Sequence, residues 1–219
     1  MSESTNAERS KQLMSTLPGD DVRQIMWRFS DRYDLQMVVQ STRGVARGQV
    51  ARMVANGARN THEWTEEKAG LLKAFDEAGI TSLFMDPAEG GFIEGPKNLA
   101  LALVAFELAW VDGGAATSSL ASNLGLSPIH EKGTPEQRSK YMHMATPPQP
   151  GEDRQIKRGA FALTEPMPFV GVDTGVVSGK LRIDSWEEGQ EPLLQVEKRG
   201  RFITNMGFAD FVTAAVDSA

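Results

Sequence analysis

Apolar residues recur at intervals of three and four through the first two thirds of the chain, then at every second position after residue 150. The first rhythm predicts helices. Residues 1–15 are polar and read as a solvated leader, and Asp20 is a candidate N-cap for a helix carrying Val22, Ile25, Met26 and Phe29. Leu35, Val38, Val39, Thr42, Val45 and Ala46 predict one face of a helix running towards Val54. Gly44 and Gly48 fall inside it, each costing about 1 kcal/mol against Ala; they either admit a second helix closely or break the first. Thr65-Glu66-Glu67 opens the next helix with a capping hydroxyl and two first-turn acids. Leu71, Leu72, Phe75 and Ala78 form its buried side and Gly79 its stop, before a turn cluster over 86–91. Leu99 to Val111 is apolar almost all round, which predicts burial on most sides. Asp112-Gly113-Gly114 interrupts it. Ala115–Leu126 then reads as a closely packed helix of small residues, closed by Asn123, Ser127 and Pro128. Thr134-Pro135-Glu136-Gln137 is a capping box with proline at the first helical position.

The run Pro147-Pro148-Gln149-Pro150-Gly151 marks the boundary between the two rhythms. Beyond it, alternation predicts strands at Ala160–Thr164, Gly179–Asp184, Leu193–Glu197, Arg201–Asn205 and Phe211–Val216. The first is stopped by Thr164-Glu165-Pro166, since proline cannot donate to a sheet ladder. The fold class expected is α+β: an all-α helical N-terminal domain, then a partial antiparallel β domain ending on an unpaired edge. The expected divisions are a polar extension over 1–33, a helical domain over 34–150 and part of a β domain over 151–219.

Composition narrows the chemistry. The absence of cysteine from the 219 residues excludes disulfides, thiolate metal sites and a catalytic thiol, and fits a reducing compartment. A net charge of −6 with no concentration of Lys and Arg argues against nucleic-acid binding. No window offers a membrane span, and Met1–Lys11 has no apolar signal region, so a cytoplasmic location is expected. Arg43, Arg47 and Arg52 form a basic stripe, read first as a solvated face and second as an anion or partner contact. Glu107, in the apolar helix, is read as paired with a nearby Arg or turned outward rather than catalytic. His62, His130 and His143 lack spacing that suggests a metal or a general base, so surface or capping roles are expected, and no metal site.

Five motifs in order resemble one family. Glu77-Ala78-Gly79-Ile80 followed by 86–91, DPAEGG, is similar to "eaGl…vPeeyGG". Phe106–Ala109 and Gly133–Tyr141 are similar to an "ELA" helix and a "GTeeQkekYL" helix. Ala162-Leu163-Thr164-Glu165-Pro166 and Phe202-Ile203-Thr204-Asn205 resemble two flavin-binding segments. Together these look like the acyl-CoA dehydrogenase family, over residues from about 60 to 219. The chain resembles that family's N-terminal helical domain and about half of its middle β-barrel-like domain. The C-terminal four-helix bundle, where the family's catalytic Glu lies, has no counterpart here.

The resemblance implies an FAD-dependent oxidoreductase acting on an acyl-CoA thioester in fatty acid metabolism, present as an N-terminal half or a short subunit. It implies cofactor contacts from Phe161, Leu163 and Thr164 and from Phe202, Ile203 and Thr204, with Phe202 in place of the common Trp and Thr204 near the reactive flavin nitrogen. Gly171 and Val172 align to a TEP-x-x-GSD pattern after two inserted residues; Val172 replaces the Ser that meets the pyrophosphate or the acyl-CoA substrate. Glu165 matches a position that the family does not use as base, so no catalytic residue is assigned. Partners implied are further copies or a different subunit, and an electron-transferring flavoprotein. Two alternatives stand beside this reading: a non-catalytic interaction subunit, and an acyl-CoA oxidase or flavin monooxygenase of the same superfamily.

Overall fold

A computed structural model describes residues 30–166 and 177–218. The helix expected after Asp20, the polar leader, and Gly171 and Val172 lie outside the described residues.

A long helical rod comes first: α1 (Tyr33–Val45), a π-helical turn (Ala46–Val50) and α2 (Ala51–Ala55). Its buried side, Leu35, Val38, Val39, Thr42, Ala46, Val50 and Met53, follows the predicted face. Gly44 and Gly48 neither break the rod nor receive a close neighbour among the described residues, since a Cβ at either would meet nothing within 4 Å. Gly48 instead lies within the wider π turn, where a missing side chain eases the change of pitch. α3 (Glu66–Glu77) opens on Thr65, whose side chain accepts from the Lys68 N–H, and closes into Gly79 at φ 72°. A Cβ on Gly79 would also lie 2.6 Å from the Phe92 ring, so conformation and packing both demand glycine. α4 (Lys97–Ala109) packs on α1, burying Leu103, Val104 and Leu108.

α5 (Gly113–Lys132) is capped by Asp112, whose Oδ1 accepts the Ala115 N–H at 2.7 Å. It does not close at Pro128 as expected but continues through it to Lys132. Pro128 forfeits a bond to the Leu124 carbonyl; Leu124 is exposed, so water can serve that oxygen and the helix survives. α6 (Pro135–Ala145) starts on the predicted capping box, with Thr134 and Gln137 exchanging bonds of 2.9 and 3.2 Å.

The last third forms two small sheets. β1 (Gly159–Ala162) pairs in parallel with β4 (Phe211–Ala214). β2 (Lys180–Ser185) lies between β3 (Leu193–Glu197), antiparallel to it, and β5 (Asp217–Ser218), parallel to it. The pairing is therefore mixed rather than antiparallel throughout, and the described strands close no barrel. Arg201–Asn205 is not a strand. Phe202 and Asn205 have φ of 56° and 65°, and the Met206 N–H returns to the Ile203 carbonyl at 3.3 Å, so this stretch is a turn. Alternating side chains suggested a strand, but the left-handed conformation that Asn adopts readily removes the extension a ladder needs.

One apolar core joins α1, α2, α3 and α4 through Phe75, Ile80, Leu83 and Ile93, and receives Phe208 from beyond the turn. A smaller one joins Met85, Leu126, Met142 and Ala145, with Tyr141 and Phe211 packed against it. Each core thus packs a residue from the last third, Phe208 or Phe211, against the helices.

Candidate functional site

α5 carries both candidate segments. At Gly125 the helix touches β1 directly: a Cβ there would lie 3.0 Å from the Ala160 nitrogen and 3.0 Å from the Gly159 carbonyl carbon. The Gly125 carbonyl also accepts the Thr213 hydroxyl at 2.6 Å, so it secures β4 beside β1. Seven residues earlier, Ser118 and Asn205 hold each other twice. Asn205 Nδ2 donates to the Ser118 carbonyl at 2.7 Å, and the Ser118 hydroxyl donates to Asn205 Oδ1 at 3.2 Å. Seven residues are two helical turns, so the two anchor points share one face about 10 Å apart.

The segments also meet each other. A Cβ on Gly200 would lie 3.1 Å from Ile203 Cδ1 and 3.4 Å from the Thr164 carbonyl oxygen, so both turns border the same glycine. Phe161, Leu163, Thr164, Ile203 and Thr204 are half-buried around this junction. Phe202 is 79% exposed, with the Arg201 guanidinium 5.3 Å from its ring centre. Behind the junction lies an ion pair. The Lys198 ammonium donates to the Glu165 carboxylate, and Nζ lies 3.4 Å from the Leu163 carbonyl. Glu165 Oε2 further accepts the Ser178 hydroxyl and its N–H. The Lys198 bond first, then that of Ser178, holds the Glu165 carboxyl below the usual carboxylate range. A carboxylate so committed is a poor proton acceptor.

The other candidates resolve into structure. Glu107 is buried and gripped by both prongs of Arg43, at 2.7 and 3.0 Å. Arg47 lies over the Trp110 ring at 5.1 Å. Of the basic stripe only Arg43 is committed to the helical core; Arg47 and Arg52 are exposed, as a solvated face requires. His130 is not a plain surface residue: its Nε2 is 3.5 Å from Asp86, and Asp86, Glu89 and His130 converge within 4.8 Å. Lys97 at 3.0 Å from Asp86 and Arg138 at 2.9 Å from Glu89 already neutralise both acids. The cluster therefore ties the Pro87–Glu89 turn to α4, α5 and α6 as an ion-pair network. A cleft of 590 Å³ beside it, lined by Glu89, Arg138, His143 and Thr146, includes none of the predicted flavin contacts.

The helical part also carries the clearest match to known proteins. Residues 33–146 match the family model described as acyl-CoA dehydrogenase, N-terminal domain, more than half of the chain. The chain belongs to the acyl-CoA dehydrogenase family. No curated protein matches the sequence. Among solved structures it is similar to one titled as the electron transferring flavoprotein of Acidaminococcus fermentans, studied towards a mechanism of flavin-based electron bifurcation. The identity is 28% and the TM-score 0.63; the match covers 84% of this chain and 44% of that one. This member of the family therefore spans less than half the length of that neighbour. Among the described residues, no helix is long and apolar enough to cross a membrane.

Residues that sequence reasoning passed over do much of the positioning. Ser118, Gly125 and Gly200 carry no motif of their own, and Lys198 sits in a charged run, Glu197-Lys198-Arg199, that reads as solvent-facing. Nothing in the spacing announces that Lys198 pairs with a residue 33 positions earlier.

Proposed function

We propose that this chain is the N-terminal part, or a short subunit, of an FAD-dependent acyl-CoA dehydrogenase-like oxidoreductase that removes two hydrogens from adjacent carbons of an acyl-CoA thioester. The observation that carries this reading is that the Thr164 carbonyl and the Ile203 side chain both border Gly200, so the two motif segments come to one place. In this proposal the chain comprises an extension over 1–33, a helical domain over 34–150 and the first strands of a larger β-barrel-like domain over 151–219.

The residues present suit a flavin. Hydroxyls of Thr164 and Thr204 and main-chain groups at two adjoining turns can serve a ring edge that needs donors and acceptors at fixed spacing. The exposed Phe202 ring offers a flat apolar surface. Bound FAD would supply the oxidising power; the chain's own part is to bind, orient and exclude water. Phe161, Leu163, Thr164, Phe202, Ile203 and Thr204 would hold it, with Gly171 and Val172 towards the pyrophosphate and the acyl-CoA. Glu107 and Glu165 are engaged in ion pairs, so the α proton is assigned to a carboxylate beyond this chain.

A second observation favours a companion polypeptide. In the hairpin β2–β3 the cross-strand pairs Leu181–Val196 and Ile183–Leu194 put four aliphatic side chains on one face. Ile183, Leu194 and Val196 are exposed at 66%, 49% and 56%. Such a face is normally covered. It supports a homo- or hetero-oligomer, and it also favours the reading of a non-catalytic interaction subunit; in the dehydrogenase reading the electron acceptor is an electron-transferring flavoprotein.

The test is titration of the purified chain with FAD, alone and with co-expressed neighbouring subunits, followed at about 450 nm. Saturable binding in either condition supports the dehydrogenase reading. No uptake in both conditions refutes it and leaves the interaction subunit.

A further inference from the structure

We infer that Lys198 is a positioning residue that clamps the Leu163–Glu165 turn to the Ile203–Asn205 turn and so sets the spacing of the flavin contacts. The inference rests on the functional reading above for what is being positioned. The clamp itself stands on the geometry.

Three observations converge on it. Lys198 follows β3, and its side chain is only 8% exposed, turned inward to a Glu165 side chain that is 1% exposed. A lysine surrenders its hydration only for a partner that compensates it, and Glu165 with the Leu163 carbonyl supplies two acceptors from one turn. Two residues later Gly200 permits the chain to pass the Thr164 carbonyl; a side chain there would meet both that oxygen and Ile203. Lys198 and Gly200 therefore lie against the Leu163–Glu165 turn, the first as a charged anchor and the second as a close backbone passage. Asn205, pinned to Ser118, fixes the far end to α5. Ser178 adds a third strap through Glu165 Oε2. The Lys198 and Ser178 bonds favour the ionised form of Glu165, the form the clamp requires.

A pair that merely adds stability would, when removed, lower the unfolding midpoint without loosening these two turns in particular. Amide hydrogen exchange read by segment separates the two cases. In Lys198→Met, exchange at 163–165 and 203–205 should rise together by about tenfold or more, with α1, α3 and α4 unchanged. FAD affinity should fall by about tenfold, and Lys198→Arg should restore most of both. Glu165→Gln, which leaves a neutral acceptor opposite Lys198, should also loosen both turns and serves if Lys198→Met does not fold. Wild-type exchange rates in both turns, loosening of one turn alone, or unchanged FAD affinity with both turns loosened would each overturn the inference. If the wild-type chain takes up no FAD, the functional reading fails, while the exchange pattern still decides whether the clamp exists.

Discussion

Arg43 and Glu107 sit on adjoining helices, α1 and α4, and meet through two parallel bonds at 2.7 and 3.0 Å, with the carboxylate almost wholly buried and the guanidinium a quarter exposed. The asymmetry in burial makes the two ends of the pair unequal. Arg43→Met strands a charge in the core and should cost about 3 kcal/mol. Glu107→Gln leaves a neutral acceptor opposite a guanidinium that can still reach water, and should cost about 1 kcal/mol. Urea unfolding of both variants checks the ordering; equal losses would show that the burial difference does not govern the pair.

Gly125 is where α5 and β1 come closest. Gly125→Ala adds a Cβ that must sit 3.0 Å from backbone atoms of Gly159 and Ala160, none of which can swing away. The strand has to shift as a unit. Destabilisation of about 1–3 kcal/mol is expected, together with weaker FAD binding, because Leu163 and Thr164 follow directly from β1. A variant that melts like the parent would place the helix–strand contact elsewhere.

Asp34 gives the chain an acid-side dependence. The Arg32 fork first, then the Glu94 and Leu35 backbone N–H groups, lowers its carboxyl to about 2 against the opposing effect of burial. The unfolded value is about 3.9, so the folded state favours the charged form. The stabilisation it brings is complete above pH about 4 and is lost as pH falls through about 2. Thermal melts from pH 5 downward should show this loss in the parent, while Asp34→Asn should be less stable at pH 5 and flatter below it.

Asp76 runs the other way. Burial raises its carboxyl, only partly opposed by Thr81 and by the Arg158 guanidinium that it meets. Its contribution is therefore present below the unfolded pKa and fades as pH rises through the folded one. In Asp76→Asn this particular decline should disappear, so the stability difference from the parent should change as pH rises above the ordinary carboxylate value of about 3.9. A difference that stays constant as pH rises would assign the raised pKa no role in folding.

The hairpin face predicts association. Ile183→Lys with Leu194→Lys places two charges on the exposed aliphatic patch and should shift sedimentation towards smaller species, with the helical core unaffected. Unchanged sedimentation and unchanged capture of a co-expressed subunit would show the patch to be uninvolved.

Legibility followed the range of the forces involved. Caps and helix faces were readable because each depends on residues three or four apart: Thr65, Gly79 and the Thr134–Gln137 box appear where the pattern predicts. The run to Lys132 through Pro128 was not, because the tolerance of that proline depends on which side of α5 faces out. The Arg201–Asn205 stretch misled for a related reason. Its alternation is real, but two left-handed residues and the Ser118–Asn205 contact outweigh it. Adjacency of the Thr164 and Thr204 turns depended on Gly125, Ser118 and Gly200, which local patterns do not single out.

Because Ser118 and Gly125 lie on one rigid rod, α5 works as a ruler. Adding or deleting a single residue between them would rotate one attachment by about 100° relative to the other and swing the turns out of alignment, whereas the same change in the 186–192 connection would leave the graduation intact. Tolerance to insertions along this chain should accordingly be lowest between Ser118 and Gly125, a stretch that contains no charged side chain at all.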